Sequence, residues 1–368
     1  MISREQFDAY NRAVANLSDG AQREIESRIM SWLQTDEGRS ASVAGCREYA
    51  KSVMSGVVQV YDSAAASLAA EWYDKQAADN GARLPAAVTA TTYNPESVDE
   101  TARYQAKKLA KGDPRGFAEY CGELGRNDVL RSLNETIMRN AARDRKKGVR
   151  FARVPTGAET CTYCLMLASR GAVYHSRKTA GEFRHFHRRC DCKVVPGFED
   201  DKDAELVEGV RPKELRELWG KFKEIDSAEG LSKAQRNFAK RGVSQGADAE
   251  QIIDFARKRV AKSSDVAFEN KRVGKKLGSH AGDWGLDPGD SADRKELLSI
   301  IKGIIDEADK VDFGVWRGQV GPCLFYVKGD DLVLLDGNAR FASVMKGGGN
   351  NKRYKSGTTR NPWDQISS

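Results

Sequence analysis

The sequence lacks any apolar run long enough to cross a bilayer, and its mean hydropathy is −0.61. This absence excludes a membrane-spanning protein and favours a soluble one. The first residues, MISREQFDAYNRAV, contain neither an apolar core segment nor a small-residue cleavage site, so they predict an amphipathic helix instead of a signal peptide. An odd number of cysteines, seven, argues against a disulfide framework. We therefore expect residence in a reducing cytoplasm.

Acidic residues are also absent from one long stretch near the end of the chain. Between Gly337 and Trp363 there is no Asp or Glu, while a second basic run, RDRKKGVRFAR, spans Arg143 to Arg153. Clusters of this kind favour phosphate-rich partners more than the modest net charge of +7 does. For the run at Arg143 to Arg153, a solvated basic face is the competing and favoured interpretation.

The length of 368 residues and a hydrophobic content of 40% predict one to three domains with real cores. Residues 1–150 are expected to be mainly helical. Ser3 begins a Ser-x-x-Gln capping box, and a Ser-Asp-Gly break is expected after Leu17. A long helix is predicted from Ser42 to Ala78. Cys46 and Cys121 are expected to be small buried hydrophobes.

Later residues change character twice. Residues 151–198 combine short apolar pieces, glycines and a Cys/His cluster, and residues 199–278 are predicted to be a charged helical linker region. Residues 279–368 predict a separate small α+β domain, in which a helix over Ser291–Ala308 precedes an antiparallel meander. The expected strands are Phe313–Arg317, Cys323–Lys328, Asp331–Asp336 and Arg340–Lys346. Asp336-Gly337 marks a hairpin turn.

The Cys/His cluster constrains function most. Cys161-x-x-Cys164 is followed by His187-x-x-Cys190-x-Cys192. Two such pairs of soft donors suit a closed tetrahedral Zn²⁺ site with a structural role. The cluster offers more than four such donors, so no position needs to stay open for water. Two alternatives stay open: redox chemistry at Cys161 and Cys164, which lacks the surrounding βαβ pattern, and a nucleophilic Cys paired with His175 or His187.

The segment from Arg153 to Phe198 resembles the signature of phage minor head proteins related to the phage Mu minor head, the MuF-like family. The resemblance depends on Cys-x-x-Cys, LASRGAVY and the late His-x-x-Cys-Asp-Cys, and it is closest to the actinobacteriophage branch. Arg188 stands where many Mu-type members have Pro. The resemblance implies a low-copy virion protein of the head or portal vertex, made in the host cytoplasm. Its implied partners are portal and capsid proteins and phage DNA. Its implied metal ligands are Cys161, Cys164, His187 and Cys190, and Cys192 can replace Cys190 while His185 can replace His187.

The last domain resembles the barnase/EndoU/colicin/RelE-like ribonuclease toxins, because KKLGSHAGDWGLDPGD precedes a helix and a meander. The resemblance implies metal-independent cleavage of host RNA and an immunity protein as a partner. A base would take the 2′-OH proton while cations stabilise the added negative charge. The candidate catalytic residues are His280, Lys276, Arg317, Thr358 and Arg360. The competing interpretations are a non-catalytic domain, with His280 as a capping or solvent-facing residue, and a zinc-stabilised nucleic-acid-binding protein.

Overall fold

A computed structural model describes residues 1–156, 160, 162–176, 192–199, 201–268, 271–319 and 323–358. The chain divides into two units, Met1–Arg216 and Glu217–Ser368, and each is considered by itself. The mainly helical first part and the antiparallel sheet near the end of the chain are both as the sequence predicted. Among the described residues, no helix is long and apolar enough to cross a membrane.

Helix α1 (Arg4–Leu33) begins at the predicted capping box. Ser3 Oγ accepts from the backbone N–H of Gln6, and the Gln6 side chain accepts from the N–H of Ser3. The helix continues through Ser18, Asp19 and Gly20, so the predicted break is absent. A Cβ at Gly20 would lie 3.0 Å from a ring carbon of Tyr61, and the missing side chain therefore lets α1 pass close to α3 (Val43–Asp79).

The first unit is a bundle of long helices. Ser42 caps α3, and the predicted long helix is confirmed within one residue at each end. Helix α5 packs on both α1 and α3. Small residues permit this approach, because a Cβ at Gly122 would lie 2.9 Å from the carbonyl oxygen of Gln22. The helices before residue 144 are α1, α2 (Asp36–Ser40), α3 (Val43–Asp79), α4 (Pro95–Ala110) and α5 (Pro114–Arg143).

An extended segment between α3 and α4 lies along α5 and is held by side chains of that helix. The backbone of Val88 exchanges two hydrogen bonds with the Asn140 amide, at 2.9 and 2.8 Å. The backbone of Ala90 exchanges two with the Thr136 hydroxyl, at 3.0 and 3.1 Å. Val88 and Ala90 are two residues apart on an extended chain, a rise of about 6.6 Å, and Thr136 and Asn140 are four residues apart on a helix, a rise of about 6.0 Å. The two spacings therefore match. Polar side chains of α5 thus supply the hydrogen bonds that a neighbouring strand would otherwise supply to this segment.

The Cys/His segment contributes to the same core as the helices. Strand β1 (Arg150–Val154) pairs antiparallel with β2 (Lys193–Gly197), and the short helix α6 (Thr162–Ala168) packs on β1. Phe151 and Val194 are fully buried in the cluster that also contains residues of α1, α3 and α5. The Asn134 side chain of α5 accepts from the backbone N–H of Val194 at 3.1 Å.

Helix α7 (Pro212–Ser227) leads from the first unit into the second. The segment from Lys233, part of the predicted charged helical linker region, forms α8 (Lys233–Ser244), and α9 (Ala249–Arg259) follows. Phe238 of α8 is fully buried and stacks on Phe255 with ring centroids 5.8 Å apart. Helix α8 also packs on the first strand of the sheet.

The second unit contains a four-stranded antiparallel meander in chain order. Helix α11 packs on its two central strands. The last three strands match their predictions within one residue at each end, whereas the first lies three residues earlier than predicted. The apolar pattern of this first strand is interrupted by a charged residue, Asp312, at a buried position. The Asp312 carboxylate accepts hydrogen bonds from Tyr354, Lys310 and Arg241, which makes its burial possible. The elements are α10 (Lys271–His280), α11 (Ser291–Asp306), β3 (Lys310–Gly314), β4 (Cys323–Lys328), β5 (Asp331–Leu335), β6 (Phe341–Met345) and α12 (Lys352–Gly357).

Candidate functional site

Two cysteines from opposite ends of the Cys/His cluster meet inside the first unit. Cys164 lies on α6, and Cys192 directly precedes β2. Their Sγ atoms are 3.2 Å apart, and each residue is only 2% exposed. The β1–β2 pairing and the packing of α6 on β1 bring them together although they are 28 residues apart in the chain.

A buried arginine completes this pair. Arg153 of β1 is 3% exposed, and its Nη2 donates to the Sγ of Cys192 at 2.5 Å. A buried guanidinium needs anionic or strongly accepting neighbours, because its desolvation is otherwise very costly. The sulfur pair therefore has a buried cation beside it.

The remaining cluster residues, Cys161, His185, His187 and Cys190, lie outside the described residues. Within the described part of the chain, no group of three or more His, Cys, Asp or Glu side chains is placed to hold a metal ion. The predicted ligand set therefore remains a prediction. The structure places one member of each predicted knuckle, Cys164 and Cys192, side by side.

The geometry of the pair fits a soft metal ion. Two thiolates on one tetrahedral Zn²⁺, each at about 2.3 Å, lie about 3.8 Å apart, so the sulfurs need to separate by roughly 0.6 Å. The observed separation exceeds the S–S bond length of about 2.05 Å, so the pair is not a disulfide. Cys46 and Cys121 are buried elsewhere in the unit, as predicted. Burial raises the pKa of the Cys121 thiol to about 12, which is typical of an inert core residue.

Several residues of the basic run from Arg143 to Arg153 make hydrogen bonds and an ion pair within the first unit. Arg143 donates to the carbonyl oxygens of Pro85 and Ala86, each at 2.9 Å, and forms an ion pair with Asp144. Lys147 donates to the carbonyl oxygen of Arg83 at 3.1 Å. These cations hold the start of the extended segment against the end of α5.

In the second unit, His280 is the last residue of α10 and pairs with a carboxylate. Its Nδ1 lies 2.9 Å from Oδ2 of Asp283, which sits in the 3-10 turn Ala281–Trp284. An ionised carboxylate only accepts, so Nδ1 carries the hydrogen. In the neutral ring, Nε2 is then the atom with the available lone pair.

An open cleft of about 560 Å³ adjoins this pair. Its volume lies in the range of ligand sites. The cleft is lined by His280, Asp283, Met345, Lys346, Gly347, Gly348, Asn350 and Asn351. Lys346 is exposed and makes no ion pair within the described residues. The turn after β6 requires glycine, since a Cβ at Gly348 would lie 2.7 Å from the Cβ atoms of both Leu332 and Met345.

The other predicted catalytic residues are distributed over the unit. Lys276 lies one turn before His280 on α10. Thr358 follows α12, and Arg317 is exposed in the loop after β3. Arg317 and Thr358 lie in adjacent segments, because the backbone N–H of Val315 donates to the carbonyl oxygen of Gly357. These segments lie at the C-terminal end of α12, whereas Asn351, which lines the cleft, caps its N-terminal end. Arg360 lies outside the described residues.

Sequence reasoning missed three residues of these sites. Asp283 follows His280 by three positions, a spacing that brings side chains together in a helical turn and that could have indicated the pair. Lys346 is one of several basic residues in an acid-free stretch, and nothing in the sequence distinguishes it from the others. Arg153 was counted as part of a basic surface run, and nothing in that run indicates that its side chain is buried beside a cysteine.

Relatives of this chain are found in mycobacteriophages. The Gene 15 protein of Mycobacterium phage L5 is 34% identical over 85 aligned residues, with coverage of 13% of this chain and 29% of the phage protein. The Gene 15 protein of Mycobacterium phage D29 is 36% identical over 77 aligned residues, with coverage of 13% and 28%. The match thus spans less than a third of either relative. No solved structure matches the chain.

The family described as VG15 protein matches residues 1–222. This range covers the first unit and ends six residues beyond it, within α7. The sheet and the His280 cleft lie outside the matched range. The phage origin expected from the sequence is confirmed by these comparisons. Because the match covers more than half of the 368 residues, the chain belongs to the VG15 protein family, whose relatives include mycobacteriophage proteins.

Proposed function

We propose that this protein is a minor component of the phage head, located near the portal vertex. The observation that carries this proposal is the VG15 match over the whole first unit, together with the Cys/His signature that resembles MuF-like minor head proteins. The long helices of the first unit share one core, which suits them to stable protein contacts. Its partners are then portal and capsid proteins, with packaged DNA close by.

Purified particles test this location directly. Phage particles are banded on a density gradient and treated with protease, and their proteins are quantified by mass spectrometry against the major capsid protein. We expect a few protease-protected copies per particle, and immunogold labelling at a single vertex of opened heads. Presence of the chain in infected cells combined with its absence from banded particles would refute the proposal.

We also propose that the Cys/His cluster holds a structural Zn²⁺. Cys164 and Cys192 would be two ligands, and the other two would come from Cys161, His187 and Cys190. The ion would supply fixed bonds between α6 and the residue before β2, in a segment with few helices of its own. The support comes from two buried sulfurs 3.2 Å apart beside a buried arginine.

Metal analysis of the full chain tests the zinc proposal. We expect one zinc per chain by plasma mass spectrometry, and charge-transfer absorption from thiolates after exchange to Co²⁺. Cys164→Ser and Cys192→Ser should each lose the metal, whereas the matched control Cys46→Ala, a buried cysteine of α3, should keep it. Zinc-free wild-type protein, or equal metal loss in all three variants, contradicts the proposal.

As a second function, we propose that the unit beginning at Glu217 cleaves RNA. The specific observation that favours it is the His280–Asp283 pair at an open cleft, in a region beyond the VG15 match. Nε2 of His280 would take the 2′-OH proton, and the 2′-oxygen would attack the adjacent phosphorus. The bond from phosphorus to the 5′-oxygen breaks, a 2′,3′-cyclic phosphate forms, and the leaving oxygen takes a proton from water.

Controlled expression of the full chain in a bacterial host tests this second function. We expect growth arrest with fragmentation of host RNA, and relief of both by His280→Ala. Such a toxin also requires an immunity partner, which should restore growth when co-expressed. Equal toxicity of wild type and His280→Ala would refute a catalytic role for His280.

A further inference from the structure

The cleft beside His280 contains polar groups from two separate parts of the second unit. His280 and Asp283 come from the end of α10 and the turn after it, and Lys346, Asn350 and Asn351 come from the loop between β6 and α12. Helix α10 packs on β6, and this contact joins the two parts. The arrangement differs from the predicted catalytic set, because Arg317 and Thr358 do not line the cleft.

We propose that Lys346 binds the phosphate of an RNA strand in this cleft, and that Asp283 is the positioning residue for His280. This inference rests on the proposed RNA cleavage and names the groups that perform it. An RNA phosphodiester carries one negative charge, and Lys346 is an exposed ammonium group that makes no ion pair among the described residues. The amide groups of Asn350 and Asn351 add hydrogen-bond donors at the same wall.

The role of Asp283 follows from its contact with Nδ1 of His280. The carboxylate fixes the ring orientation and keeps the hydrogen on Nδ1, which leaves Nε2 as the proton acceptor. Without Asp283 the ring can rotate and take the other tautomer. The carboxylate is about half exposed, so its own repulsion of a phosphate is weakened by solvent.

The loop after β6 is built to hold Lys346 at a defined place. Gly347 adopts a left-handed backbone with φ of 66°, and its N–H donates to Asp331 at 2.9 Å. Asn351 accepts from the N–H of Arg353 at 2.8 Å and thereby caps α12. Lys346 directly follows β6, so its backbone is anchored on both sides.

The test uses the full chain, a fluorescently labelled mixed-sequence RNA 20-mer, its all-deoxy counterpart and a buffer with neither Mg²⁺ nor a chelator. Wild type should cleave the RNA and leave the DNA intact, because DNA lacks the 2′-OH. His280→Gln should lose at least about 100-fold in kcat, the lower end expected for removal of a general base. Lys346→Met should raise KM about 10-fold or more, while Lys295→Met, an exposed lysine of α11 outside the cleft, should match wild type.

Asp283 needs a readout that separates positioning from folding. Asp283→Ala should lower kcat about 10-fold with little change in KM, and Asp283→Asn should recover part of that loss because its Oδ1 still accepts from Nδ1–H. The ¹⁵N shifts of the His280 ring should report the Nδ1–H tautomer in wild type and a shift toward Nε2–H in Asp283→Ala.

The outcomes are distinguishable. Uncleaved RNA with wild type, or full activity of His280→Gln, overturns the proposed RNA cleavage itself. Loss of activity in His280→Gln alone, with unchanged kinetics and tautomer in Asp283→Ala, overturns the positioning role. Equal KM values for Lys346→Met and Lys295→Met overturn the phosphate contact.

Discussion

Replacing Asp62 by Asn should stabilise the first unit at neutral and alkaline pH. Asp62 lies on α3 with no exposed surface. Burial raises the pKa of this carboxyl to about 6, and the charge of Asp128 adds to the effect. The Ser132 hydroxyl and the backbone of Thr92 lower this pKa only in part. Folding therefore makes ionisation of Asp62 less favourable than it is in the unfolded chain.

The size of the stability gain from Asp62→Asn, and the pH range in which it appears, follow from the pKa values of Asp62 in the unfolded and folded chain. The ordinary value is 3.8, and the folded value is about 6. Since one pKa unit corresponds to about 1.4 kcal/mol, ionised Asp62 costs up to about 3 kcal/mol of unfolding free energy above pH 6. The cost falls to about 1.5 kcal/mol at pH 5 and vanishes below the unfolded value. Asn is neutral throughout, so the gain from Asp62→Asn should grow as pH rises from about 4 to 7.

Calorimetry between pH 5 and 8 measures this gain. For a unit of this size, 3 kcal/mol corresponds to a rise in Tm of roughly 6–12 °C at pH 8. Hydrogen exchange of α3 and α5 amides assigns the shift to the first unit. Asp99→Asn is the control of opposite sign, because hydrogen bonding to Lys51 lowers the pKa of Asp99. That variant should lose stability by a nearly constant amount between pH 5 and 8, because the loss shrinks only as pH falls below the ordinary Asp value of 3.8. A gain for Asp62→Asn that does not change with pH would refute the reasoning.

Three further changes probe packing and hydrogen bonding by urea denaturation of the full chain. Thr136→Val should cost about 2–4 kcal/mol because both backbone groups of the buried Ala90 lose their partner, whereas Thr136→Ser should cost much less. Gly122→Ala should destabilise the first unit by about 1–3 kcal/mol, since its Cβ meets the α1 backbone at Gln22. Gly303→Ala in α11 meets no atom within 4 Å and should stabilise the second unit by up to about 1 kcal/mol. A stabilised Gly122→Ala or a destabilised Gly303→Ala would contradict the contacts described.

The sequence predicted those elements whose signal is local. The capping box at Ser3 and the apolar period of α3 determine their helices without help from the rest of the chain, and both are confirmed. Strand β3 was misplaced because its inward Asp312 is satisfied by Arg241 of α8, more than 70 residues earlier. The break after Leu17 was wrong because Gly20 faces Tyr61 of another helix. In each case a tertiary contact overrode a local pattern.

The same distinction applies to the sites. Cys164 and Cys192 were both among the predicted ligands, because the spacing of soft donors is written in the sequence. Arg153 and Lys346 were not singled out, because a lysine or arginine has the same sequence signature whether it faces solvent, a carbonyl oxygen or a thiol. Its role is set by what the fold places beside it. Asp283 lies between these cases, since its spacing from His280 is local but needs a helical turn to matter.

The extent of the VG15 match agrees with the way the two cores are built. Buried residues of the Cys/His segment belong to the same core as those of α1, α3 and α5, so a change in the segment disturbs the bundle. Buried residues of β4, β5 and β6 form a core of their own in the second unit. The family match ends at residue 222, six residues after the end of the first unit, so it covers the core of the bundle and leaves out the core of the sheet.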